Sequence, residues 1–187
     1  KNYGFTTRMA DDVTNNNVSL LGMPEENDWI LGGMVFDTSF VRDYFSQSLS
    51  GKMGNYASRA AYCEVIVNNV YMGLYMLQEK LKADDNRIDV IKISKNENSL
   101  PSLTGGYISK ADKMTGGDQP AWKMYSFQNS VVEYIHELPK PEDATSTQTS
   151  YISGEFFRLE SAARNNDISV INGYPALIDI PSFIDFM

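Results

Sequence analysis

The residues able to do chemistry in this chain are few, and its spacing excludes most of the arrangements they would need. Nucleophilic catalysis requires a base beside a serine or cysteine, and the sequence holds one histidine and one cysteine. His136 falls in a strand-like run and reads as a surface or core residue, while Cys63 sits in an alternating apolar run and reads as a small buried hydrophobe. A zinc site needs clustered His and Cys, which the sequence lacks. The acidic groups Asp11-Asp12, Asp84-Asp85 and Glu25-Glu26 with Asp28 do not follow the spacing of a calcium loop, so they read as solvated turns. No glycine loop with a following Lys and Ser or Thr cradles a phosphate here. Two features remain. Gly73 interrupts a strand rich in aromatic and aliphatic residues, where a glycine either relieves crowding or lets another group approach the backbone. Lys110 stands in a short strand opened by Gly105-Gly106, sharing a face with Ile108 and Asp112. Its ammonium could meet phosphate oxygens, although composition alone favours a solvated surface lysine.

The chain that must position these residues has 187 residues, 42% apolar and 12% aromatic. That is the range of one soluble, compact domain with a substantial core. The balance of 16 Lys and Arg against 24 Asp and Glu gives a net charge of −8, with no basic cluster, so nucleic acid is excluded as a partner. A single cysteine forms no internal disulfide and leaves the redox compartment unread. No apolar run approaches the about 18 residues of a membrane span. The start at Lys1, without a signal-like segment, suggests a piece of a longer mature protein.

The elements are those of an α+β chain, an antiparallel sheet of hairpins with a few packed helices. Tyr3 to Arg8 and Val18 to Leu21 read as a first hairpin. Phe40, Val41, Tyr44, Phe45, Leu49 and Met53 recur at helical spacing, with capping oxygens at Asp37 to Ser39 and a terminating Gly54. Tyr62 to Glu79 reads as a hairpin turning at Asn68-Asn69, since Asn tolerates the positive φ of a two-residue turn. In a regular register Val67 faces Val70, Val65 faces Met72 and Cys63 faces Leu74, an apolar face that must lie on a core. The other face pairs Ile66 with Tyr71, Glu64 with Gly73 and Tyr62 with Tyr75. Strands are expected at Ile88 to Ile93, Tyr107 to Asp112 and Val131 to Leu138, the second closing in Thr115 to Asp118. Thr145 and Gln148 form a capping box for a helix with the stripe Ile152, Phe156, Leu159 and Ala163, ended by Asn165-Asn166. A last short helix starts at Asp179, with Pro181 in its first turn.

Four segments stand in an order that resembles the CotH kinase family, the spore-coat protein H type of atypical kinase-like domain. They are Leu20-Leu21-Gly22-Met23-Pro24 through Asp28-Trp29-Ile30-Leu31, Ser39 to Asp43 around Arg42, Asn68 through Tyr75 with Glu79-Lys80, and Gly105-Gly106-Tyr107. The resemblance covers nearly the whole chain. It implies the N-lobe and central part of a kinase-like fold, ATP with Mg or Mn as cofactors, a secreted or cell-surface location, and a protein substrate that receives phosphate. In that picture the Tyr71 to Tyr75 hairpin with Gly73 covers the nucleotide, Lys110 engages its phosphates, and Glu79 is a candidate to hold that lysine. Arg42 and Arg59 read first as structural ion pairs. Two departures stand out: Asn68-Asn69 replaces the family's Asn-Gly, and Val70 a polar residue. The family's metal-binding aspartates are expected downstream of Phe183-Ile184-Asp185, so the single domain 1–187 is expected to be incomplete at both ends and inactive alone. No catalytic or metal-ligating residue is therefore assigned within it. The alternative is a non-catalytic surface module that binds protein or glycan through Gly116 to Trp122, and a third reading treats Gly73 and Lys110 as scaffold.

Overall fold

The computed structural model describes residues 2–114, 116, 118–125 and 129–187. The chain divides into two compact units, Lys1–Ile88 and Asp89–Met187. It is α+β, with two small antiparallel sheets and three helices among the described residues.

The first unit is a four-stranded sheet of β1 (Tyr3–Thr6), β2 (Asp28–Gly32), β3 (Ala60–Val67) and β4 (Val70–Glu79), in the order β1-β2-β4-β3, with helix α1 (Arg42–Lys52). Pairing places Trp29 opposite Glu79, and both Leu31 and Ala61 opposite Leu77. Opposed residues share a face, so one side of the sheet presents Trp29, Leu31, Leu77 and Cys63. Met23 packs with Trp29 and Leu77 there, joined by Phe5, Leu20, Leu31 and Cys63. Trp29 is 0% exposed and donates its indole N–H to the Glu26 carbonyl at 3.0 Å. Each large side chain fully buried in such a cluster contributes about 1.5–3 kcal/mol. On the opposite side α1 lies over the sheet: the Gln47 amide donates to Gln78 Oε1 at 3.0 Å, and the Tyr44 and Tyr62 rings sit 5.2 Å apart.

Several expectations change. Tyr3–Thr6 pairs with Asp28–Gly32, whereas Val18 makes only an isolated bridge to Glu26. The reason is local: Leu21 and Gly22 both take positive φ, which turns the chain where a strand would have to continue. The hairpin does turn at Asn68 and Asn69, with φ of 50° and 61°, as two left-handed residues require. Its register then slips at Val65/Ile66, so that Val65 faces Gly73, Glu64 faces Leu74 and Cys63 faces Tyr75. Met72 is the extra residue of this bulge. Only the base of the expected apolar face is covered, and Val67, Val70, Met72 and Leu74 are exposed. Gly73 has φ +102° and nothing within 4 Å of where a Cβ would sit, so the backbone conformation, not a close neighbour, calls for glycine. Helix α1 begins at Arg42 because Phe40 is left-handed at φ 59°. Asp37 supplies the capping oxygen, accepting from the Arg42 N–H at 2.8 Å, and Gly54 follows the helix with φ +91°. The α1 stripe is not buried, for no residue of that helix is.

The second unit holds the sheet β5-β7-β6, from β5 (Ile108–Ala111), β6 (Trp122–Tyr125) and β7 (Val131–Leu138), with helices α2 (Ser146–Arg164) and α3 (Ile180–Phe186). Strand β6 was not expected, and Ile88 to Ile93 forms none. That segment instead runs against Gly106, whose φ is +77° and where a Cβ would stand 1.7 Å from the Ile91 carbonyl oxygen. Backbone contact thus replaces a ladder. Helix α2 carries the capping box of Thr145 and Gln148; Ile152, Phe156 and Leu159 are half-buried, but Ala162 rather than Ala163 faces inward. Asp179 caps α3 by accepting from the Ser182 N–H. Thr115 and Gly117, where the sequence closes the strand, lie outside the described residues. No helix among the described residues is long and apolar enough to cross a membrane.

Replacing Gly73 with alanine should lower stability by about 1–2 kcal/mol, because only backbone strain is added. Urea denaturation reads this as a lower midpoint at unchanged slope, while Gly4→Ala, with open space and no positive φ, should be near neutral.

Candidate functional site

Three of the residues singled out by sequence lie on β4. Tyr71 and Gly73 flank the bulge near the hairpin tip, and Glu79 ends the strand at its base, roughly 20 Å away at the usual rise of a strand. The exposed Tyr71 hydroxyl donates to Glu64 Oε1 at 2.8 Å, and that bond to a carboxylate raises the phenol above its ordinary value.

Glu79 is 1% exposed, and both its oxygens are taken by one residue. Oε1 accepts from Arg59 Nε and Oε2 from the Arg59 backbone N–H, each at 3.0 Å. Arg59 also donates to the Asn86 carbonyl. Burying a carboxylate is costly unless a cation and hydrogen bonds answer it, and here one arginine supplies both. Arg59 is therefore a structural ion pair, and Glu79, expected to hold Lys110, gives both its oxygens to Arg59, while the carboxylate beside Lys110 is Glu137. Arg42 also forms a structural ion pair, more loosely, at 3.7 Å from Asp37. Asp37 itself is held down to about 2 by hydrogen bonds from the Ser39 hydroxyl and the Arg42 N–H.

A second polar group forms around Glu26 and Asp28, which are engaged in ion pairs rather than lying in solvated turns. The Lys82 ammonium lies 2.9 Å from Glu26 and 3.2 Å from Asp28, and Thr6 donates to the other Asp28 oxygen at 2.8 Å. Burial works against the charge on Lys82, yet the hydrogen bonds and charges of the two carboxylates raise its ammonium above the ordinary value. Arg87 stacks 5.3 Å above the Trp29 ring and donates to the Lys80 carbonyl. The signal in sequence was the repeat of charges around the apolar Trp29 segment, but nothing in the spacing pairs Glu26 with a lysine 56 residues on.

In the second unit, Lys110 on β5 lies directly opposite Ile135 on β7. The β5–β7 ladder skips Glu137, because Ser109 faces His136 while Ile108 faces Leu138. Glu137 is the extra residue of that bulge, and its carboxylate lies 2.5 Å from the Lys110 ammonium. The hydrogen bond from Lys110 to Glu137 is the main cause of a raised ammonium, with burial opposing it. The pair is half-exposed, so it contributes little to stability and leaves a cation that a phosphate could approach. Bulges commonly re-aim a side chain next to a functional position, and both sheets place one beside a residue picked from sequence: Met72 beside Gly73, Glu137 beside Lys110.

Other candidates fall elsewhere. Cys63 packs half-buried against the first core, where burial raises its thiol above the ordinary value. Trp122, offered as a surface contact, stacks on Tyr134 with ring centroids 4.9 Å apart and meets Phe156 of α2 at 5.4 Å, so its ring serves packing. No group of three metal-binding side chains occurs among the described residues. Their donor set does not fit a divalent cation.

A family model described as CotH kinase protein matches residues 1–187, the whole chain. No curated protein and no solved structure matches it.

Substituting Arg59 with alanine should destabilise the protein by about 3 kcal/mol, the low end for breaking a buried pair because the arginine is itself half-exposed. Glu79→Gln keeps the shape but sets an amide NH2 against one of the two Arg59 donors, so it should also destabilise, by at least about 1 kcal/mol, and thermal or chemical denaturation of the two variants compares them directly.

Proposed function

The chain belongs to the CotH kinase family, and from that premise we propose that it forms part of a kinase-like domain that transfers phosphate from ATP to secreted or surface proteins. The family match over the full length carries this reading. Transfer of a phosphoryl group is mostly positioning and charge stabilisation, so a cation held in a defined place is the first part such a domain needs. Lys110 has that character, since Glu137 fixes its direction while part of the ammonium stays in solvent. We assign Lys110 to the nucleotide phosphates. In the same reading the Tyr71–Tyr75 stretch, freed at its tip by the bulge and Gly73, contributes to nucleotide binding. Glu79 acts through its pair with Arg59, which fixes the base of that stretch. A divalent metal, Mg or Mn, is the cofactor the family implies, and it would supply neutralisation of the developing charge.

Thermal-shift titration of the full-length protein with ATP and either metal tests the reading, and a rise in melting temperature that saturates with nucleotide is expected. Lys110→Met should weaken ATP binding about 10-fold or more, the loss of one charge-assisted contact of at least 1.4 kcal/mol. Unchanged affinity would remove Lys110 from the site.

A further inference from the structure

We propose that His136 is an acid-sensitive latch that holds helix α2 on the sheet of the second unit. The histidine is 3% exposed, and its Nε2 shares a hydrogen bond of 3.1 Å with Thr149 Oγ1 in the first turns of α2. This is a direct polar tie between β7 and the helix. Around it the packing is aromatic: the Trp122 ring centroid lies 5.3 Å from that of the imidazole, and Phe156, two turns on from Thr149, meets Trp122 and Tyr134.

Among the described residues no carboxylate faces the ring to answer protonation. The ladder opposes Ser109 to His136 and Trp122 to Tyr134, so the α2 side of the sheet offers His136 the neutral groups Ser109, Trp122 and Tyr134. Lys110, Lys123, Glu133 and Glu137 belong to the opposite face and pair there with one another. From α2 come Thr149 and Phe156, while Glu160 acts on Tyr134 and pairs with Arg164. The second ring nitrogen, Nδ1, is buried with no partner among the described residues. An imidazolium would thus bury a charge and an unmet N–H at once. Burial alone holds the imidazole below its ordinary value. A depressed histidine leaves the folded state at full stability above the unfolded value of about 6.5, and that stability is lost as pH falls toward the folded value. The proton is accommodated by letting the ring reach water, which separates α2 from the sheet.

The chain has one histidine, so its ring signals in a proton NMR titration of the whole protein are unambiguous. The expected result is a midpoint below 6.5, with Thr149 and Phe156 signals moving at the same pH. An ordinary midpoint, or neighbours that do not respond, overturns the latch. Amide exchange of residues 146–164, corrected for intrinsic rates, should rise at least 10-fold between pH 7 and pH 5. In His136→Gln, which keeps an N–H for Thr149 and cannot titrate, that rise should vanish. An equal rise in the variant assigns the effect to other groups and defeats the proposal. Should the variant fail to fold, the titration of the unaltered protein still decides.

Discussion

Most of the first unit hangs on a carboxylate that water does not reach. Glu79 ends β4, an inner strand of the four-stranded sheet, directly opposite Trp29, and a bare negative charge buried there would be strongly destabilising. Arg59 answers it twice, through its side chain and through its backbone N–H. Its own carbonyl accepts from the Glu79 backbone N–H at 3.1 Å. The same guanidinium reaches the Asn86 carbonyl. One ion pair therefore fixes the end of β4, the approach to β3 and the turn before Arg87, and Arg87 closes over the tryptophan. The hydrophobic cluster supplies the driving force, whereas this pair sets which residues meet.

The two sheets solve a common problem in one way. Each has a regular ladder at the end that packs and an extra residue where a side chain must be turned, Met72 in the first and Glu137 in the second. In the second sheet this gives Lys110 a carboxylate neighbour on its own face while His136, next along the strand, stays on the helix side. The ion pairs of Lys110 and Lys123 thus lie on the face opposite His136 in a sheet three strands wide.

Local signals were legible and distant pairings were not. The capping box at Thr145, the left-handed turn at Asn68-Asn69 and the stop at Gly54 are each decided within four residues, and each stands where the sequence puts it. The register beyond Val65 was not readable, because period-two alternation continues unbroken through Met72 and only Gly73 hints that the backbone departs from it. Strand β2 escaped because Trp29, Ile30 and Leu31 form a continuous apolar run, covered on both faces of an inner strand. The partners of the charged candidates were hidden for a different reason. Glu79 finds Arg59 across a hairpin and Lys110 finds Glu137 across a bulge, and neither spacing repeats a period that sequence alone displays. The family's segments were recognisable because they keep residue identities in order, a signal that does not depend on knowing which strands pair.

The bulge at Met72 also divides the long hairpin into two regimes of constraint. Below it, inward and outward positions are dictated by the tryptophan cluster, so substitutions there answer to the core. Above it, parity is reset by the Asn68-Asn69 turn, and the last few rungs answer only to solvent and to whatever approaches them. Substitutions in the tip can therefore change what the exposed end meets while leaving the packed base undisturbed.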